Sequence, residues 1–571
     1  MSSTRDIRAD QSAPTPETFT GLDRGGKLIF AGLAIGMFVS SLSQTIVGPA
    51  MPRIVAELGG MANYSWIATA AMLVSAVVVP IVGKLSDMYG RRWFYLAGLA
   101  TFMIGSALAG LAQGFWFLVF ARAVQGLGMG TLMPLSQVII GDIIPPRQRG
   151  RYQGIMGAVF GLSSVAGPLV GGYITDNIGW RWLFYLTLPL GVLAFAFVFR
   201  FLHLNTHSGH GSVDMLGIIT LTPALILGLL ALSWGGSTYP WLSPVILGMG
   251  AATLVLLVVF VLVEKRAEDP LLPLELLGRP IVALSVLASF AISVAMFGAI
   301  IYIPVYAQGV LGVSATDSGA ILIPLNISLI GASIISGLLI SRIGRYKGVM
   351  VGGGIVLTIG YLLLTRLHYG SQPWQLTGAM IVIGLGLGLS LQVYTLVVQN
   401  AVSQKNLGVA TSAVQFFRNV GSTAGVAILG TVMSSRMQQD VAARITALDP
   451  VLLAQMKEQG VNAHDLESSV LDPAALAGMP PALIEAIRSG LGDAMHMVFV
   501  MAVPFVIVAL ILCLFIPQVR LRDTLTPEPQ ATTGIIEVPI EDGVHHPGEE
   551  SLGRHRSGHG HHEGPPAHGR A

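Results

Sequence analysis
Charge is scarce in this chain. Asp, Glu, Lys and Arg supply 11% of its 571 residues, where a soluble globular chain carries about 25%. Hydrophobic residues supply 53% and the mean hydropathy is +0.70, so lipid rather than water is the solvent this composition fits. Cysteine is nearly absent. Cys513 stands alone, which excludes a disulfide framework and a thiol pair. The formal net charge is +2, and no basic patch points to a nucleic-acid partner. No G-x-x-x-x-G-K-[ST] loop is present, so ATP-driven transport by this chain alone is not expected. No constellation of metal ligands, or of nucleophile and base, stands out. Neither an enzyme nor a bound cofactor or metal is therefore expected.

What the chain does have is long apolar runs. A membrane span needs about 20 mainly apolar residues, and fourteen such runs are present. They begin near Leu28, Trp66, Trp93, Phe115, Tyr152, Trp180, Met215, Leu242, Pro280, Thr316, Lys347, Trp374, Gly408 and Gly492. Short loops on one side hold eighteen Lys and Arg residues, among them Lys84, Arg91, Arg147, Arg342 and Lys405. The opposite short loops hold three: Arg53, Arg181 and Arg366. Positive residues stay cytoplasmic, so both termini are expected inside. The expectation is an all-α, multi-pass protein of the cytoplasmic membrane. It divides into a cytoplasmic tail (1–26), six runs (27–200), a linker with two further runs (201–279), six more runs (280–516) and a tail (517–571). The long outer loop 437–491 contains "DPVLLAQMKEQG" and "PALIEAIRSGLG", which carry the start and stop signals of short amphipathic helices. The last tail is Pro-, Gly- and His-rich. Its "HRSGHGHHEG" lacks fixed ligand spacing and reads as disordered and solvated.

The chain also echoes itself. "GKLSDMYGRR" (83–92) follows the second run and "GLLISRIGRY" (337–346) the tenth. Gly83, Leu85, Gly90 and Arg91 match Gly337, Leu339, Gly344 and Arg345 at constant offset. Such parallel repeats mark the two halves of some transporters. Asp87 can pair with an arginine or cap a helix end, which makes this loop a candidate conformational latch. Further on come "RAVQGLGMG" from Arg122, "GLSSVAGPLVGG" from Gly161, "WRWLFYLTLPLG" from Trp180 and "GVATSAVQFFRNVGSTAGVAILGTV" from Gly408. In order, and on the matching runs, these resemble the signatures of the major facilitator superfamily in its fourteen-helix drug:proton antiporter branch, over roughly residues 28–516. The resemblance implies two six-helix bundles plus two linker helices, working as a monomer in the lipid bilayer. It also implies multidrug efflux: export of small hydrophobic or amphipathic compounds by alternating access, in exchange for protons.

Particular residues then carry expectations. Arg122 is a charge inside an apolar run, and such residues usually face a bundle interior and mark a pathway. In relatives the matching arginine is linked to proton coupling. Gln125 is placed to hydrogen-bond across a cavity. Gly167 and Pro168 give the fifth run a smooth, kinked face. With Asp87, Arg91 and Asp142, these residues form the expected coupling and switching set. "LSQTIVGPAMPRI" resembles the branch's first-helix motif, in which an aspartate follows the leucine. Here Ser43 stands there instead, and a hydroxyl does not titrate in the physiological range. Asp142 or Asp317 could carry the proton, or the usual coupling is not used. The Ser41, Ser43, Gln44 and Thr45 cluster either lines the cavity or only packs. Other expected cavity residues are Tyr302, Tyr306, Asn326, Gln392, Tyr394, Gln415 and Arg418. Gln415 and Arg418, three apart, share a helix face. Two other functions remain open at this point: a lipid or glycolipid exporter of the same fold, and a transport-inactive membrane receptor.

Overall fold
In the bilayer core no water satisfies backbone N–H and C=O groups, so a spanning segment folds as a helix bonded to itself. The computed structural model describes residues 21–59, 63, 66–203, 212–236, 238–313, 315–446 and 480–521. Its helices, in chain order, are α1 (Arg24–Thr45), α2 (Met51–Leu58), α3 (Trp66–Tyr89), α4 (Arg91–Gly110), α5 (Phe115–Ile143), α6 (Pro146–Asn177) and α7 (Arg181–Phe201). They continue with α8 (Met215–Trp234), α9 (Pro244–Glu264), the short α10 (Leu274–Leu277), α11 (Pro280–Gly309), α12 (Ala315–Ile343), α13 (Lys347–Leu364), α14 (Pro373–Ala401), α15 (Leu407–Thr446) and α16 (Pro481–Phe515).

Among the described residues, thirteen spans are long and apolar enough to cross a membrane, with α1 and α2 counted together. The other long helix is α15, with 40 residues. It carries Gln415, Arg418 and Asn419 and packs against α3, α11 and α16. Its polar face is turned to Gln44 of α1, Gln137 of α5 and Gln392 of α14 rather than to lipid, which is how a spanning helix tolerates such residues. Helices α1–α7 form one bundle and α11–α16 the other. Between them in the chain, α9 buries little beyond Ile246, Phe260 and Glu264, and exposes Leu254, Val255 and Val258. Such a helix is suited to face acyl chains.

One boundary differs from the sequence expectation. "PALIEAIRSGLG" is no short helix inside the 437–491 loop. It forms the first turns of α16, and α15 in turn runs on to Thr446. The two extensions pack on each other: Gly490 sits against the backbone of Val441, and Arg444 pairs with Asp493 at 2.7 Å. "DPVLLAQMKEQG", the rest of that loop and the C-terminal tail beyond Leu521 lie outside the described residues.

The two bundles meet at their cytoplasmic ends through small residues. On α6, Gly150 and Gly154 abut the backbone of Gly337 and Ser333 on α12. On α3, Gly83 abuts Ser412 of α15. With no side chain in the way, helix backbones approach closely. The repeat noted in the sequence is visible here, since Gly83 and Gly337 each face the opposite bundle. Gly90 and Gly344, which end the two copies, have φ of 96° and 71°, a region that favours glycine. Val398, Leu407, Ala410 and Val414 of the second bundle belong to the same buried apolar cluster as Leu135, Val138 and Ile139 of the first. The cytoplasmic halves are therefore closed upon each other.

Candidate functional site
Four buried arginines, Arg91, Arg122, Arg149 and Arg418, organise the space between and within the bundles. At the cytoplasmic end, Arg91 begins α4 and reaches two carboxylates. It donates to Asp87 Oδ1 at 2.7 Å through Nη2 and to Asp142 Oδ2 through Nη1. Asp87 then crosses to the other bundle. Its Oδ1 accepts from the Gly408 amide and its Oδ2 from the Val409 amide, both at 3.1 Å. These amides belong to the first turn of α15, whose leading N–H groups have no partner within the helix and carry its positive dipole end. The sequence allowed either an arginine pair or a helix cap for Asp87. The structure has both, on one carboxylate. Ser341, at the repeat-equivalent position, accepts from the Arg151 amide at 2.9 Å, so the second copy makes a neutral version of the same bundle-to-bundle tie.

Arg122 lies on α5 and is 2% exposed. Its Nε donates to the Ile67 carbonyl at 3.1 Å, and its Nη1 donates to Ser43 Oγ at 3.2 Å and to Gln125 Oε1. Gln125 Nε2 passes the chain on to Ser106 Oγ at 2.7 Å. No ion pair joins Arg122 to a carboxylate among the described residues. Ser43 thus occupies the place where an acidic side chain would meet this guanidinium. The charge is held by carbonyl and hydroxyl dipoles instead.

Among the described residues, two cavities draw on both bundles. The larger, of about 550 Å³, lies in the outer halves of α3, α8, α11 and α15, among them Met72, Leu232, Phe297, Tyr302, Val426 and Thr431. The smaller, of about 40 Å³, is central and draws Gln44, Met133 and Gln137 from the first bundle and Gln392, Gln415, Arg418 and Asn419 from the second. Phe297 borders both. The cytoplasmic halves are in contact, and the larger cavity lies in the outer halves of the helices.

Several expected residues gather here: Gln44, Gln392, Gln415 and Arg418 in the centre and Tyr302 in the outer chamber. Others sit elsewhere. Within the cluster from Ser41 to Thr45, only Gln44 lines a cavity. Ser41 accepts from Ser163 Oγ at 2.6 Å, and Thr45 Oγ1 donates to the Ser163 carbonyl at 3.2 Å. Both thereby join α1 to α6, where Gly167 leaves room for Thr45. Pro168 lies inside a continuous α6. Gln125 is taken up by Arg122, Tyr306 donates to the His368 carbonyl at 2.9 Å, and Asn326 donates to the Leu322 carbonyl at 2.9 Å. Tyr394 is buried in the core of the second bundle. The Asp317 side chain lies outside what is described.

Arg149 is one of the eighteen Lys and Arg residues that the sequence places on the cytoplasmic side. It binds the carbonyls of Ile144, Gly141 and Gln399, the last on the opposite bundle. Gln137, Phe297 and Asn419 were missed. The signal available for the chamber was the spacing of Ser422, Val426, Gly430 and Ser434, every fourth residue along one helix.

Replacing Asp87 by Ala removes one acceptor that serves a guanidinium and two amides. Hydrogen bonds to charged groups contribute about 1.5–3 kcal/mol each. The amides at the start of α15 should then exchange with deuterium at least roughly tenfold faster by mass spectrometry, since about 1.4 kcal/mol is a factor of ten. Unchanged exchange there would show that the cap does not hold the bundles. Ser43→Asp places a carboxylate within reach of Arg122. It should raise the thermal midpoint in detergent, by an interaction on the order of 1.5–3 kcal/mol, whereas Ser43→Asn should not.

The comparisons with known proteins agree with this architecture. Residues 33–426 match the model of the Major Facilitator Superfamily. The multidrug transporter protein MdtP of Bacillus subtilis is 39% identical over 515 residues, covering 88% of this chain and 95% of that protein. Multidrug resistance protein 3 of the same organism is 33% identical over 514 residues, covering 89% and 98%. Among solved structures, the human organic anion transporter MFSD10 has the same fold, with a TM-score of 0.53 at 14% identity, covering 84% of this chain and 98% of that one. By family match and by helices, this chain belongs to the Major Facilitator Superfamily and is a multi-pass transporter of the cell membrane rather than an enzyme.

Proposed function
We propose that the chain is a secondary active exporter of hydrophobic or amphipathic small molecules, working by alternating access and exchanging cargo for protons. One observation carries the reading. Both bundles line a small polar cavity at Arg418 and the glutamines and a larger apolar chamber outward of it, with Phe297 bordering both, while the cytoplasmic ends are tied by Asp87, Arg91 and the start of α15. Parting that tie and closing the chamber would turn the same site toward the cytoplasm. The multidrug transporters of Bacillus subtilis named above point to small-molecule cargo. With Ser43 in the first helix, the carboxylates left to carry a proton are Asp142, which shares Arg91 with Asp87, and Asp317. Asp142 becomes reachable from the cytoplasm when the tie opens.

The test uses the full chain in liposomes with an acidic interior, an external pH dye and a panel of lipophilic compounds. Cargo-dependent proton movement is expected, and it should be lost in Arg122→Ala and in either Asp142→Asn or Asp317→Asn. Cargo movement without proton movement would overturn the antiport. No cargo movement, in protein shown to bind the compounds, would overturn the exporter reading.

A further inference from the structure
The two cavities share one wall. Gln415, Arg418, Ser422, Val426, Gly430 and Ser434 recur at three- and four-residue steps on α15 and line the small cavity and then the large one. From Arg418 to Ser434 the stripe is about 24 Å long at 1.5 Å per residue. Its chemistry changes along that length. The inner end holds Arg418 among Gln44, Gln137, Gln392 and Asn419. The outer chamber is walled mainly by aliphatic side chains with scattered hydroxyls. Arg418 is the one charged side chain lining either cavity, and no Asp or Glu lines them among the described residues.

Arg418 is also incompletely satisfied. It is 8% exposed and donates through Nη2 to the Leu391 carbonyl at 2.8 Å. No carboxylate pairs with it among the described residues. A guanidinium with five N–H donors and one protein acceptor keeps donors for something else. A buried cation without a counter-charge is costly, so an anionic group is the ligand it favours most. The inner cavity, of about 40 Å³, has room for a group of carboxylate size, since about 10–15 Å³ of such space holds one water. The chamber past Phe297 has room for an apolar body.

We propose that the two cavities form one amphiphile site, with Arg418 and its glutamine neighbours holding an anionic head and the chamber between α3, α8, α11 and α15 holding the hydrophobic body. The cargo class is then a small organic anion with an apolar tail, not a lipophilic cation. A cation would meet Arg418 with no carboxylate to receive it. The proposal deepens the exporter reading and rests on it for its biological meaning, but its test does not involve transport.

The probes are dansyl-labelled undecanoic acid, its methyl ester and the matched quaternary ammonium, titrated by fluorescence against the full chain in nanodiscs. The acid should bind at least about tenfold tighter than the ester, the ratio that about 1.4 kcal/mol of charge interaction gives, and the ammonium should bind weakest. Arg418→Gln should bring acid and ester affinities to within about twofold of each other, and an unchanged circular-dichroism spectrum reports that the variant is folded. Arg418→Lys should keep most of the advantage. Phe297→Trp, at the junction, should weaken acid and ester alike. Equal binding of acid and ester by the unaltered chain would overturn the proposal whatever the variants do, as would tighter binding of the ammonium. A protein that binds the acid tightly yet moves no cargo in liposomes would sink the exporter reading and leave the site standing.

Discussion
A charge inside the apolar part of a membrane protein has to find its counterpart within the protein. Much of this structure follows from how its buried arginines do so. Arg91 has two carboxylates, one of which continues across to the other bundle. Arg149 has three backbone carbonyls, one of them across the same gap. Arg122 has a carbonyl, a hydroxyl and an amide oxygen within its own bundle. Arg418 has one carbonyl and a cavity. The series runs from fully paired to partly open. The paired arginines hold the cytoplasmic ends, and the open one sits where a guest can reach it.

Closure at the cytoplasmic side needs more than these ties. Gly83, Gly150, Gly154 and Gly337 bring backbones of opposite bundles into contact. Such interfaces gain from dispersion over a short distance and lose it abruptly when they part. Polar caps and glycine contacts therefore act together. A carboxylate that caps a helix only while that helix is near makes the closed arrangement well defined without making it permanent. The neutral tie at Ser341 on the second repeat leaves the two sides unequal in strength. The charged tie on the Asp87 side is the stronger hold.

A good part of this was legible in the residues. Charge scarcity, run lengths and the lysine and arginine asymmetry gave the span count and orientation, because membrane thickness and the positive-inside bias act on composition alone. The contacts of Asp87 were legible in part, since a carboxylate beside Arg91 could pair with an arginine or cap a helix end, and it makes both contacts. Cavity membership was harder. Tyr306, Asn326 and Tyr394 are polar groups in apolar helices, as Gln392 is, yet they serve a neighbouring carbonyl, their own helix or the bundle core. One-dimensional sequence does not tell which face of a fully buried helix meets a partner and which meets a void. The extension of α15 and α16 beyond the expected loop boundary had a similar origin. Those turns are stabilised by packing of Gly490 on Val441 and by the pair of Arg444 with Asp493, contacts distant in sequence.

The central claim is that one site between two bundles faces either side in turn. Double electron–electron resonance tests it most directly, with spin labels on the full chain in lipid. One label pair reports the cytoplasmic ends of α6 and α12, at positions 151 and 341. Another reports the outer ends of α3 and α11. Across conditions that change the resting state, such as added cargo or altered pH, the account predicts opposite movements. Where the outer distance shortens, the cytoplasmic distance lengthens. Two distances that rise and fall together, or that stay fixed in protein that binds and moves cargo, would contradict it.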